Sequence, residues 1–120
     1  MKFGVLALDY DGTIATDGVP CPDVRSAIAE ARARGIVVII VSGRILSDLR
    51  DLCGDLSFVD AVVAENGVVL AFPNGQTRIL GRLPPQTFFD ELQRRGVAVK
   101  SGQCIVEAEA SAAPTILAAI

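Results

Sequence analysis

Asp9 and Asp11 are two carboxylates separated by Tyr10, followed at once by Gly12 and Thr13, and placed directly after the apolar run 3–8. A carboxylate that ends a strand is held rigidly while its tip faces solvent. A second one two positions later can share a cation or exchange a proton with a bound group. In such a pair one carboxylate attacks and the other manages protons, which is the chemistry of phosphoryl transfer. Gly12 lets the backbone bend and approach a ligand closely, and Thr13 brings a hydroxyl that can cap the next stretch of backbone. Asp and Gly are also ordinary turn residues, but four specified residues in this order behind an apolar run seldom arise by chance. Tyr10 points the opposite way from its neighbours in extended geometry and reads as packing. The chain contains no histidine, so hydrolytic chemistry falls to carboxylates, hydroxyls or thiols.

These residues need elements to hold them. The run 3–8 shows no polar alternation, the pattern of a strand covered on both faces of a parallel sheet. Val24, Ala27, Ile28 and Ala31 then recur at helical spacing, with Pro22 and Asp23 at the start and Gly35 as the stop. A second apolar run, 36–41, ends at Ser42-Gly43-Arg44. Ile45, Leu49 and Leu52 predict a helix over about 45–53 that stops near Gly54. A third strand, 59–64, ends at Glu65-Asn66-Gly67. Alternating strands and helices predict an α/β fold, a Rossmann-like parallel sheet with helices on both faces. Ligands on such sheets bind at the carboxyl ends of the strands, where Asp9, Ser42 and Asn66 all fall.

The pattern changes after residue 67. Segments 68–72 and 77–80 flank Pro73-Asn74-Gly75-Gln76 and predict a hairpin. Pro84-Pro85 marks a break, followed by a helix around Phe88, Phe89 and Leu92 that closes at Gly96. Segments 97–100 and 104–108 pair around Ser101-Gly102-Gln103, and a helical run begins at Pro114. The expected division is a core over 1–82 and the start of an α+β unit over 83–120.

With 120 residues, about half of them apolar, the chain can bury one core. The net charge is -3 and the eleven basic residues are scattered, which favours neither nucleic acid nor an anionic membrane as partner. No apolar segment is long enough to span a bilayer and none opens the chain as a signal peptide, so the expected compartment is the cytoplasm. Cys21, Cys53 and Cys104 lack metal-ligand spacing and read as free thiols.

The Asp9-Tyr10-Asp11-Gly12-Thr13 motif resembles the nucleophile motif of the haloacid dehalogenase superfamily, mostly Mg-dependent phosphatases. Ser42, about thirty residues on at the next strand end, resembles the superfamily's second motif, whose hydroxyl holds the transferring phosphate. Glu65-Asn66-Gly67 followed by a hairpin is similar to the Cof-like branch, whose large cap is inserted beyond that point. The resemblance implies Asp9 as nucleophile through an aspartyl-phosphate and Asp11 as general acid and base. It implies Mg²⁺ held by Asp9 and Asp11, the latter through its backbone carbonyl. It further implies phosphate contacts from Gly12, Thr13, Ser42 and Gly43, and substrate contacts from Arg44 and Asn66. The implied substrate is a small phosphorylated metabolite such as a sugar phosphate. For Ser42 a helix N-cap, for Asn66 a simple turn and for Arg44 a solvated first-turn arginine are the structural alternatives.

The superfamily completes its site with a lysine and an acidic Gly-Asp-x-x-x-Asp-type loop after the cap. Here the only lysines are Lys2 and Lys100, and nothing after Ala110 is acidic. The chain is therefore expected to be the N-terminal part of a longer protein, or one completed by another chain or a homo-oligomer. A phosphomutase, and a binding or regulatory module that retains an incomplete phosphatase-like fold, are the competing functions. A phospho-receiver domain fits poorly, because its acceptor lies on a later strand.

Overall fold

The computed structural model describes residues 2–120. Along the chain the elements run β1 (Val5–Asp9), β2 (Ala15–Thr16), β3 (Val19–Pro20), α1 (Pro22–Ala33), β4 (Val37–Val41), α2 (Leu46–Cys53) and β5 (Ala61–Ala64). A 3-10 turn, Glu65–Gly67, leads into β6 (Val69–Ala71) and β7 (Thr77–Ile79). Then come α3 (Gln86–Arg94), β8 (Val99–Ser101), β9 (Val106–Ala108) and α4 (Ala113–Leu117).

Five strands form the main sheet in the order β1-β4-β5-β6-β7. The first three are parallel and the last two antiparallel. The α/β class, the parallel core and the hairpin over 68–80 are thus as the sequence pattern predicts. Register sets the edge that matters: Asp9 lies opposite Val41, and Val41 opposite Val63. With strands about 4.8 Å apart, the loops that follow Asp9, Val41 and Ala64 emerge side by side.

Strand parity divides the sheet into two unlike faces. Val38, Ile40, Val62, Ala64, Val69 and Ala71 share one face and are all buried, in one cluster with Ile28 of α1 and Leu46, Leu49 and Cys53 of α2. Val5, Val37 and Val41 share the other and are exposed. Two expectations need correction here. Helices cover one face of the sheet among the described residues, not both, because two successive right-handed crossovers that step the same way along a sheet place both helices on the same side. And β1, which among the described residues is hydrogen-bonded to β4 alone, leaves Val5 and Leu6 exposed, so its apolar run is not covered on both faces.

Local signals explain the helix ends. Gly35 sits at φ +81° after α1, its N–H donates to the Arg32 carbonyl, and the Ile36 N–H donates to the Ala31 carbonyl, a Schellman stop. The short hairpin β2–β3, which the sequence pattern does not bring out, turns on Asp17-Gly18, both at positive φ, the conformation of a type I′ turn.

Residues beyond Leu83 pack around their own small apolar center. Leu92 of α3 is buried, and with Phe88, Val99, Val106 and Ile116 it lines a concavity of about 370 Å³. The molecule is elongated, with a radius of gyration of 16.9 Å against about 14 Å for a compact domain of this length.

Candidate active site

At the end of β1 the chain folds into a tight turn. The Tyr10 carbonyl accepts from the N–H groups of Thr13, Ile14 and Ala15, and the Gly12 N–H donates to the Ala15 carbonyl. The Asp11 carbonyl accepts none of these bonds. The Thr13 hydroxyl donates to Asp9 Oδ2 at 3.2 Å, which orients the carboxylate. Gly12 and Thr13 border the end of β1, and the N–H groups of both are engaged within the turn. Their contribution here is the turn itself and the bond to Asp9.

Tyr10 is fully buried, as its parity predicts. Its hydroxyl donates to the Gly18 carbonyl at 2.6 Å and lies 3.0 Å from Cys53 Sγ. Burial, with the neighbouring thiol adding to it, pushes the phenol well above its ordinary range. The tyrosine therefore pins the Asp17-Gly18 turn beneath the two aspartates.

Ser42 stands one residue past Val41, which lies opposite Asp9 across the β1–β4 pair. Its Oγ accepts from the Arg44 N–H at 3.1 Å, which leaves its own proton available to donate. Helix α2 begins at Leu46 with Ile45 at the cap position, so Ser42 is not that helix's N-cap. The Gly43 N–H donates to no group among the described residues. A serine O–H and a free backbone N–H therefore stand in succession just past the end of β4, on the strand adjacent to the one that Asp9 ends.

Arg44 reaches back over the turn. Its Nε and Nη2 donate to the two carboxylate oxygens of Asp11, each at 2.8 Å, and its guanidinium lies 5.9 Å from the center of the Tyr10 ring. The arginine's hydrogen bonds hold the Asp11 carboxyl below the usual carboxylate range, against a smaller opposing effect of burial. Asp11 rather than solvent is thus the partner of Arg44.

The third loop locks onto the second. Glu65 N–H donates to the Arg44 carbonyl and Asn66 N–H to the Ser42 carbonyl. Asn66, in the left-handed region at φ +58°, lays its side chain on Gly43, where a β-carbon would come within 2.7 Å of Asn66 Oδ1. Any larger residue at 43 would have to displace the Asn66 side chain.

Two placements bear on the residues the motifs lack. Lys100 is ion-paired with Asp48 of α2, not with Asp9. Lys2 precedes β1, seven residues of extended chain before Asp9, roughly 20 Å away. Among the described residues no three His, Cys, Asp or Glu side chains meet as a metal cage, and no helix is long and apolar enough to cross a membrane. All three thiols are free. Glu65, to which the sequence pattern gives no role, is fully buried; an acidic residue directly before Asn-Gly at a strand end is its only signal.

Fold and site together define an α/β protein with two aspartates, a serine and an asparagine gathered at the carboxyl ends of adjacent parallel strands. The chain belongs to the haloacid dehalogenase-like hydrolase family, whose model matches residues 6–110, and the resemblance drawn from Asp9, Ser42 and Asn66 is borne out at that level. The 5-amino-6-(5-phospho-D-ribitylamino)uracil phosphatase YcsE of Bacillus subtilis (strain 168) is 36% identical over 64 residues, 52% of this chain and 26% of that protein. A phosphatase of the haloalkanoate enzyme superfamily from Bacteroides thetaiotaomicron is 25% identical with a TM-score of 0.62, covering 97% of this chain and 46% of that one. A subclass IIB sugar phosphatase of the superfamily shares the fold at 20% identity and a TM-score of 0.56, covering 85% of this chain and 42% of that one. The chain spans about a quarter of the curated relative and less than half of these two structures.

Proposed function

We propose that this chain carries the nucleophile half of a Mg²⁺-dependent phosphomonoester hydrolase acting on a small phosphorylated metabolite, with a sugar phosphate as the favoured class. One observation carries the reading: Asp9 ends β1 opposite Val41, the two residues that follow Val41 keep a serine O–H and a glycine N–H unengaged, and Asp11 is held by Arg44 of the same loop.

In this scheme a phosphate oxygen rests on the Ser42 hydroxyl and the Gly43 N–H. An Asp9 carboxylate oxygen forms a bond to phosphorus as the ester P–O bond breaks, and the Asp11 carboxylic acid gives its proton to the leaving oxygen. Asp11, now a carboxylate, takes a proton from the water that attacks phosphorus, and the bond to Asp9 breaks. Arg44 favours the ionised form of Asp11 that the second step needs. Protonation for the first step requires that grip to loosen.

The donor set suits a hard divalent cation. One Asp9 oxygen is clear of Thr13, the Asp11 carbonyl is clear of the turn's hydrogen bonds, and Mg²⁺ commonly binds through one or two carboxylates while keeping several waters. Bound there, it would offset the repulsion between a carboxylate and a dianionic phosphate.

The test is covalent trapping. The chain is incubated with Mg²⁺ and p-nitrophenyl phosphate, quenched, reduced with borohydride and mapped by mass spectrometry. Modification at Asp9, absent without Mg²⁺ and absent in Asp9→Asn, is expected. No modification, or modification elsewhere that survives Asp9→Asn, would sink the reading. Lys100 on Asp48 favours a second reading, phosphate binding without turnover. Saturable Mg²⁺-dependent binding of inorganic phosphate with no trapped adduct would select it. A phosphomutase would use the same Asp9 and Asp11 steps with a second hydroxyl in place of water.

A further inference from the structure

Glu65 takes no part in the phosphoryl scheme, yet it is among the most enclosed polar residues of the molecule, with no exposed surface. Its carboxylate crosses from the core to the turn between β8 and β9. Oε1 accepts from the Gln103 N–H at 2.9 Å and from the Leu46 N–H at 3.4 Å. Oε2 accepts from the Cys104 N–H at 2.8 Å and the Ile105 N–H at 3.3 Å. Three successive backbone N–H groups converging on one carboxylate form an anion nest, and the chain fills it with its own side chain.

The surroundings are built for this contact. A β-carbon on Gly102 would lie 2.6 Å from Glu65 Cδ and 2.7 Å from Oε2, so the turn approaches the carboxylate as closely as a bare backbone allows. Glu65 and Asn66 are both left-handed, at φ +52° and +58°, a strained pair with no glycine between them. Such strain persists where the surrounding contacts over-determine the conformation. The same residue also anchors the catalytic loop, since its N–H donates to the Arg44 carbonyl at 3.0 Å. Main chain and side chain of one residue thus tie the Ser42–Arg44 loop to the hairpin turn.

We propose that Glu65 is a positioning residue that fastens the 102–105 turn to the strand-end edge, making that turn a fixed wall beside the phosphate site rather than part of a freely swinging lid. The proposal rests on the phosphoryl reading only in calling this edge a phosphate site; the docking itself is independent of it. Opening the turn would strip the buried Glu65 carboxylate of three of its four donors. The Lys100–Asp48 pair is a second tie between hairpin and core, but it is solvated and correspondingly weak.

Amide hydrogen exchange on the whole chain, read by NMR, tests this with two variants. Glu65→Gly removes the carboxylate and relieves the left-handed strain; Gly102→Ala keeps the carboxylate and blocks its seat. In both, exchange at Gln103, Cys104 and Ile105 is expected to rise about 100-fold, as in local opening, while Val38, Ile40 and Val62 stay protected. Formate added to Glu65→Gly should refill the nest and slow the same three amides. The affinity for inorganic phosphate with Mg²⁺ should fall several-fold in Glu65→Gly and recover with formate. Unprotected amides at 103–105 in the wild type, or acceleration spread evenly over the core in both variants, would overturn the latch. Phosphate binding unchanged by Glu65→Gly would overturn its positioning role. A wild type with protected amides and no phosphate binding would instead overturn the phosphoryl reading and leave the latch standing.

Discussion

Arg44 holds both oxygens of Asp11 in a two-pronged grip, Nε on Oδ2 and Nη2 on Oδ1, each at 2.8 Å. A planar guanidinium matches a carboxylate in this way and a lysine cannot. The residue assigned to proton transfer therefore waits in its ionised form.

Arg44→Ala should return the Asp11 carboxyl toward the ordinary aspartate value of about 3.9, and Arg44→Lys should do so in part. Carboxyl ¹³C titration by NMR reads this directly. Because the folded-state value is depressed, the pair stabilises the fold above the unfolded value and loses that contribution as pH falls through the folded one. With the two side chains 35% and 50% exposed, the stability change is small, on the order of 0–1 kcal/mol. An Asp11 titration unmoved by either substitution would count against the grip.

Gly43→Ala would press its β-carbon on Asn66 Oδ1, the tip of a side chain that must turn aside, and should destabilise the protein by about 1 kcal/mol, the low end of overpacking. Asn66→Gly keeps the left-handed backbone and removes the obstruction. The double variant should therefore be more stable than the sum of the singles predicts, a coupling that thermal or urea unfolding can measure. Strict additivity would show that the two loops do not meet as described.

Tyr10 is the chain's only tyrosine, so absorbance at alkaline pH reports it without interference. Its raised value predicts no tyrosinate signal near pH 10 while the fold persists. Stability should decline as pH rises past the unfolded phenol's value of about 10, since only the unfolded chain then releases the proton. Tyr10→Phe, which leaves the Gly18 carbonyl without its donor, should cost about 1–3 kcal/mol. A normal phenol titration in the folded protein would contradict the burial.

The exposed apolar face carrying Val5, Val37 and Val41, with the free edge of β1 beside it, predicts self-association of the chain. Light scattering over a concentration series should show it, and Val5→Lys with Val37→Lys should reduce it. A monodisperse monomer at high concentration would speak against it.

Much of the site is legible in the sequence because each of its loops is a polar stop placed directly after an apolar run. Asp9, Ser42 and Asn66 each announce a strand end, and parity alone sends Tyr10 inward. The hidden part depends on the third dimension. An uninterrupted apolar run looks the same whether its strand lies in the middle of a sheet or at its margin, so the exposure of β1 cannot be read from residues 3–8. Nor can the role of Glu65, whose partners Gln103 to Ile105 lie some forty residues away and engage it through backbone groups that carry no sequence signal. The hairpin at Asp17-Gly18 is different, since that dipeptide is an open turn signal flanked by strands of only two residues each, too short to show alternation. The amide engagement of Thr13 by the Tyr10 carbonyl and of Gly12 by the Ala15 carbonyl comes from how tightly the turn closes, a matter of fractions of an ångström.

The marginal position of β1 has a dynamic consequence. Among the described residues its backbone is bonded to β4 alone, so of these parallel strands it is the one that fraying would release first. Asp9 and Asp11 travel with it, while Ser42 and Gly43 stay with the better-held β4. Thermal breathing of this one strand would move Asp9 away from Ser42 and Gly43, so in the proposed reaction the alignment of these groups depends on how firmly that margin is clamped.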